Sequence, residues 1–107
     1  MAMMLYAGAV QTAAGSSGDR AVKPRVYIDT DTANEVDDPY AVFRALVAPE
    51  FSVVGLSSMS WKDKHEFITG TRESQAMNEE ILTLMGQIER VSHPLGAHQP
   101  LPDQTTP

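Results

Sequence analysis

The sequence predicts an α/β fold, namely the N-terminal βαβα portion of an open, mainly parallel, Rossmann-like sheet. Two short runs rich in Val and Ile are typical of buried strands, and each is followed by apolar residues at helical spacing. The resulting order of strand, helix, strand and helix indicates parallel strands. Such strands require cover on both faces, which two helices cannot supply. We therefore expect an incomplete fold, the N-terminal piece of a larger domain.

The composition limits the classes of protein to which the chain can belong. Its 107 residues suffice for one small domain, and 42% hydrophobic with 21% charged residues is typical of a globular protein. The sequence contains no cysteine, which excludes disulfides and thiolate metal sites. There is no basic cluster, so we expect no nucleic-acid partner. No segment is long enough to span a bilayer, so we expect no membrane partner.

The first 24 residues differ from the rest. Residues 1–10 are apolar and small, and residues 11–18 are rich in Ala, Gly and Ser. Two interpretations remain open for 1–24, a flexible tail or a truncated, signal-like segment. The second interpretation would make the protein exported or periplasmic, and otherwise we expect a cytoplasmic protein. Residues 25–107 then form the domain.

The first strand and helix have clear local signals. Residues 25–29 form a buried strand in this prediction, because three apolar residues follow one another in Val26, Tyr27 and Ile28. Asp38 and Pro39 predict a helix start, with the aspartate as the cap and the proline in the first helical position. Pro49 ends the helix at residue 47 or 48.

The second half repeats this order. Residues 51–57 predict a strand, 58–70 a polar loop, and Thr71 the start of a second helix. Gly86 either ends that helix or interrupts it. A short strand near Val91 and a proline-rich tail complete the chain. The apolar residues of the second helix recur at helical spacing: Ala76, Met77, Ile81, Leu84, Met85 and Ile88.

The loop after the first strand is strongly acidic. Its carboxylates, five in ten residues, are Asp29, Asp31, Glu35, Asp37 and Asp38. No Lys or Arg lies between residues 25 and 44, and carboxylates this close retain protons unless a cation lies among them. A loop that only faced water would intersperse its charges. We therefore predict a metal or catalytic site.

The position of this acidic loop suggests how it binds a ligand. Open α/β sheets bind ligands beyond the carboxyl ends of their strands, which is where the loop lies. Asp29 and Asp31 alternate along the chain, so only one can point toward a given face. Asp31 and Asp38 can meet across the loop and share one cation. Oxygen ligands without His or Cys favour calcium or magnesium over zinc.

These residues resemble a known family. Asp29-Thr30-Asp31 followed by Asp37-Asp38 is similar to the N-terminal signature of the inosine-uridine preferring nucleoside hydrolases. The insertion of Asn34-Glu35 resembles the subgroup with a slightly longer loop. Weaker matches extend the resemblance over about residues 25 to 103, so that 25–107 would be the N-terminal part of a nucleoside hydrolase-like domain.

The resemblance implies a calcium-dependent hydrolase that splits the N-glycosidic bond of a ribonucleoside into base and ribose. By resemblance, Asp31 and Asp38 are calcium ligands, Asp31 is also the catalytic base, and Asp37 holds a ribose hydroxyl. Asp29 and Asn34 would support the site. The expected partner is a small-molecule nucleoside, and a homo-oligomer is left open.

The sequence departs from this family in two respects. The family often has Gly-Asn shortly after the second strand, where this chain has Met59-Ser60-Trp61-Lys62. In the family, the remaining calcium ligands and the acid near the leaving base follow much later than residue 107. We therefore expect the 107 residues to carry part of a site.

Two other functions remain open. A haloacid-dehalogenase-like phosphatase also has a strand that ends in two aspartates one residue apart, and there Asp29 would be the nucleophile, Asp31 the acid-base and magnesium the cofactor. That interpretation leaves the helix start at 37–39 unexplained. The other alternative is a non-catalytic remnant that binds a cation or a sugar through the same loop.

Overall fold

The chain forms a small sheet with two helices. The structure, a computed structural model, describes residues 2–6 through their backbone and residues 22–102 in full. The elements follow in the order β1 (Ala2–Tyr6), β2 (Arg25–Thr30), α1 (Asp37–Val47), β3 (Ser52–Ser58) and α2 (Phe67–Leu84).

The three strands form one sheet in the order β1-β2-β3. β1 runs antiparallel to β2, and β2 runs parallel to β3. The parallel register places Arg25 opposite Ser52 at one end and Thr30 opposite Ser58 at the other, with a shift between Val26 and Tyr27. The parallel pair with its two helices confirms the predicted α/β arrangement. An antiparallel strand at the edge of such a sheet is common.

The chain returns to the sheet after α2. Ser92 forms a parallel bridge with Gly55 on β3. The backbone N–H of Leu56 donates to the Ser92 carbonyl at 2.8 Å, and the Ser92 N–H donates to the Val54 carbonyl at 3.3 Å. The short strand predicted near Val91 is therefore present as a single bridge, on the side of β3 opposite β2.

Much of the N-terminal segment lies outside the described residues. Residues 2–6 are the backbone of β1, whereas 7–21 are not described. The two interpretations of 1–24 therefore stay predictions. Neither helix in the described part of the chain has the combination of length and apolar character that crossing a membrane requires.

The hydrophobic core lies between the sheet and the helices. Val26 and Ile28 alternate along β2 on one face, and both are fully buried. Ile28 lies opposite Leu56 of β3, which is also fully buried. Residues from both helices and from the return to the sheet complete the cluster: Val42, Ala45, Val53, Ile81, Leu82 and Val91.

α1 begins at Asp37, two residues before Pro39, the predicted first helical residue. The prediction that Asp38 caps this helix is wrong, because Asp38 lies within the first turn and the capping position, Val36, makes no side-chain hydrogen bond. The helix ends at Val47, and Ala48 is extended, as expected for the residue before a proline.

α2 begins at Phe67, four residues before the predicted start, and ends near Gly86. Gly86 has a φ of 66°, a left-handed conformation that glycine adopts without strain. Its N–H donates to the Thr83 carbonyl at 3.1 Å, and the N–H of Gln87 donates to the Leu82 carbonyl at 2.7 Å. These two bonds form the Schellman motif, so this glycine ends the helix.

The core position of Ile28 gives a testable prediction. Replacing Ile28 by Ala should lower the free energy of unfolding by about 2–5 kcal/mol, because the lost methyl groups leave a cavity between sheet and helices. Urea denaturation followed by circular dichroism measures this. Leu84→Ala is the matched control, because Leu84 is 72% exposed and its loss should change stability by no more than about 0.5 kcal/mol. Equal effects of the two variants would contradict the core assignment.

Candidate functional site

The acidic loop lies at the carboxyl end of the parallel pair. Thr30 and Ser58, the last residues of β2 and β3, lie opposite each other. The N–H of Met59 donates to the Thr30 carbonyl at 3.0 Å and continues the pairing beyond β3. The loops that follow the two strands therefore begin side by side. This edge is where open α/β sheets bind ligands.

Asp38 is the buried carboxylate of the loop. It is 7% exposed and lies in the first turn of α1, where the helix dipole favours negative charge. The Thr30 hydroxyl donates to Asp38 Oδ2 at 2.7 Å. Burial raises the pKa of Asp38, but side-chain hydrogen bonds with Thr30 and Asp31 contribute to a net lowering below its usual value. Asp38 is therefore ionised at neutral pH.

Asp31 lies beside Asp38. Its side chain is one of the groups that lower the pKa of Asp38. The Asn34 amide donates to Asp31 Oδ2 at 3.2 Å, and the Asn34 N–H donates to the Asp31 carbonyl at 2.8 Å. The second bond closes a four-residue turn, a frequent use of Asn and Asp in loops. Asn34 is thus hydrogen-bonded to Asp31 twice, and the supporting role in a functional site that the resemblance implies for it stays a prediction.

The other two aspartates are placed differently. Asp29 accepts a hydrogen bond from the Ser57 hydroxyl at 2.6 Å, across the parallel pair. It points to the sheet face opposite Ile28, because successive side chains of a strand alternate. Asp37 is exposed in the first turn of α1. Within the described residues, no group of three or more His, Cys, Asp or Glu side chains is placed to hold a metal ion.

Residues of α2 that the sequence analysis did not single out also contact the acidic loop. The Thr32 hydroxyl donates to the amide oxygen of Asn78, and both side chains are fully buried. The Ala33 N–H donates to the Ser74 hydroxyl at 3.4 Å. With Thr71, Ser74 and Asn78 form a polar stripe at intervals of three and four along the buried face of α2. That spacing is the feature of the sequence from which these three residues could have been predicted to share one face of the helix.

The segment after α2 is hydrogen-bonded to α2 and to the end of β3, at the same edge of the sheet. The Thr71 hydroxyl donates to the Ala97 carbonyl at 3.0 Å, and the Gly96 N–H donates to the Ser58 hydroxyl at 3.1 Å. The Gln75 amide donates to the His93 carbonyl at 2.7 Å. These bonds place the segment 93–97 next to the end of β3, beside the edge that carries the acidic loop.

An open apolar cavity of about 390 Å³ lies elsewhere, at the C-terminal end of α1 and before β3. Its lining residues are Ala41, Arg44, Ala45, Ala48, Glu50 and Phe51. None of the acidic-loop residues lines it. The cavity and the acidic loop are therefore separate features of the structure.

Searches of protein families, of curated proteins and of solved structures found no match to this chain.

The Thr30–Asp38 bond can be tested by titration. Thr30→Val should raise the pKa of Asp38, because burial continues to disfavour the charged form when the hydroxyl donor is lost. Carbon-detected NMR of the carboxyl group measures the shift, and Thr30→Ser, which keeps the donor, should stay close to the wild type.

The same titration has a consequence for stability. A carboxyl whose folded-state pKa is lowered stabilises the fold above its unfolded pKa, and loses that contribution as pH falls through the folded value. Thr30→Val should therefore lose stability at neutral pH and show a weaker loss on acidification. An unchanged pKa of Asp38 in Thr30→Val would contradict the assignment.

Proposed function

We propose that the chain is the N-terminal part of a calcium-dependent nucleoside hydrolase, which splits the N-glycosidic bond of a ribonucleoside. The Asp31–Asp38 pair at the carboxyl end of β2 is the observation that carries the proposal. It agrees with the resemblance of the Asp29–Asp38 stretch to that family. The function assigns each member of the pair a task.

The donor set suits calcium. Asp31 and Asp38 offer carboxylate oxygens, the hard ligands that calcium prefers, and Asp38 is ionised at neutral pH. Calcium takes roughly six to eight oxygens, so further ligands would come from outside the described residues. Asp31 and Asp38 would hold the ion. When bound, it would act as a Lewis acid toward water and the ribose hydroxyls.

The chain's own residues supply the remaining steps. Asp31, half-buried and oriented by Asn34, takes the proton of the attacking water. The water oxygen bonds to the anomeric carbon while the bond to the base nitrogen breaks, through an oxocarbenium-like state that nearby carboxylates stabilise. Asp37, exposed at the same helix start, accepts a hydrogen bond from a ribose hydroxyl. Proton transfer to the departing base would come from outside the described residues.

The proposal extends to the fold and to the second loop. An open, mainly parallel, Rossmann-like sheet would continue beyond β3 from the parallel bridge at Ser92. After β3, Lys62 lies 5.6 Å from the ring centroid of Trp61 and 3.4 Å from Glu73 Oε1. Met59-Ser60-Trp61-Lys62 takes the place of the family's Gly-Asn in the sequence, so the proposal assigns no ribose contact to this loop.

The phosphatase alternative has less support from the same contacts. It would make Asp29 the nucleophile acting with Asp31. The Asp29 carboxylate instead accepts the Ser57 hydroxyl across the strands, whereas Asp31 pairs with Asp38. The nucleoside hydrolase proposal requires Asp31 and Asp38 to lie together, which agrees with their side-chain contact.

An assay of ribose release from inosine and uridine, with calcium or with a chelator, tests the proposal. The chain is assayed alone and within any longer protein that contains it. Asp31→Asn should lower the rate by about 10²–10⁴-fold, because it removes the general base. Glu35→Gln is the matched control, an exposed acid of the same loop that should keep the wild-type rate.

Two results would overturn this function. One is ribose release that is equal with calcium and with chelator. The other is magnesium-dependent hydrolysis of p-nitrophenyl phosphate without ribose release, which would favour the phosphatase.

A further inference from the structure

The acidic loop is tied to α2 by buried polar groups. Thr32 is 1% exposed and Asn78 is 0% exposed, and the hydroxyl of Thr32 donates to the Asn78 amide oxygen across 46 residues of sequence. The neighbouring Ala33 N–H donates to Ser74, which is also fully buried. Two consecutive residues directly after Asp31 are therefore anchored to one helix.

Asn78 is a polar residue at a fully buried position of α2. Its amide nitrogen is buried and has no hydrogen-bond partner among the described residues. Buried polar groups without partners are uncommon in folded proteins, and each calls for an explanation. The bond to the Asn78 amide oxygen is our explanation for a polar residue here. A hydrogen bond is directional and orients Thr32 in a way that apolar packing would not.

This link restricts the loop next to the acidic pair. Asp31 and Asp38 are in side-chain contact, and a loop free to move would let them separate. Anchoring Thr32 and Ala33 restricts the backbone that follows Asp31, and the turn closed by the Asn34 N–H restricts it further.

We propose that Asn78 and Thr32 form a positioning link that holds Asp31 beside Asp38 before a cation binds. Asn78 acts through Thr32 and does not contact the cation or the substrate. The proposal rests on the proposed function for the identity of the cation. The effect on the loop does not depend on that function, and the two are measured separately.

The first measurement uses the metal-free protein. Hydrogen exchange of the Ala33 and Asn34 amides, followed by NMR, should accelerate by about tenfold in Thr32→Val and in Asn78→Ala. Thr32→Ser keeps the hydroxyl and should restore slow exchange. Thr83→Val is the matched control, because the exposed Thr83 hydroxyl donates within α2 itself, to the Glu79 carbonyl at 2.7 Å.

Exchange of core amides in the same spectra separates loop release from global destabilisation. Acceleration at Ala33 and Asn34 with unchanged exchange at Ile28 supports the link. Uniform acceleration throughout the chain, or none at the loop, overturns it. If Asn78→Ala fails to fold, Thr32→Val decides alone, since it removes a single hydroxyl and keeps the side-chain shape.

The second measurement is calcium binding by isothermal titration calorimetry. Thr32→Val should bind calcium about tenfold more weakly than the wild type, whereas Thr32→Ser and Thr83→Val should bind with wild-type affinity. Equal affinity of Thr32→Val and the wild type overturns the positioning role. If the wild type binds no calcium, the proposed function fails, and the exchange measurement still decides whether the link holds the loop.

Discussion

The hydrogen bond from Thr30 to Asp38 is the interaction on which the site depends. It joins the last residue of β2 to the first turn of α1, and the bond is buried. A carboxylate buried without a donor would gain a proton rather than remain charged. With the Thr30 hydroxyl and the Asp31 side chain as partners, Asp38 keeps a lowered pKa and a negative charge. The strand, the helix start and the charge of the site are therefore linked through one hydroxyl group.

The acidic loop is held from two sides. Asp38, after the loop, accepts a hydrogen bond from Thr30 at the end of β2. Thr32 and Ala33, near the start of the loop, donate hydrogen bonds to side chains of α2. Asp31 lies between these attachments and beside Asp38. Two carboxyl groups held in contact offer oxygen ligands to one cation, which is the physical reason for proposing binding at this place.

The sequence predicted the elements whose signals are local. The apolar runs specified β2 and β3, and Pro49 specified the end of α1. The start of α2 was missed because Gly70 looked like a loop residue. It lies inside the helix and is buried against Ser60 and Lys62, where a larger residue would collide. That contact depends on the loop after β3 and is not visible in the helical segment alone.

Contacts of the candidate site were likewise predictable where they depend on the local sequence. The meeting of Asp31 with Asp38 and the separation of Asp29 follow from strand alternation and loop length. The capping role given to Asp38 was wrong, because Asp38 lies within the first turn of α1 and Val36 occupies the capping position. Asn78 was missed because its role comes from a partner 46 residues away.

Paramagnetic NMR with terbium, an oxygen-seeking ion similar in size to calcium, tests the central claim most directly. The account predicts that stoichiometric terbium broadens the amide resonances of Asp31, Asn34 and Asp38, and leaves those of the distant 48–51 segment sharp. Calcium should reverse the broadening by competition. Broadening confined to other carboxylates, such as Glu79 and Glu80 on the exposed side of α2, would contradict the account, as would the absence of any localised broadening.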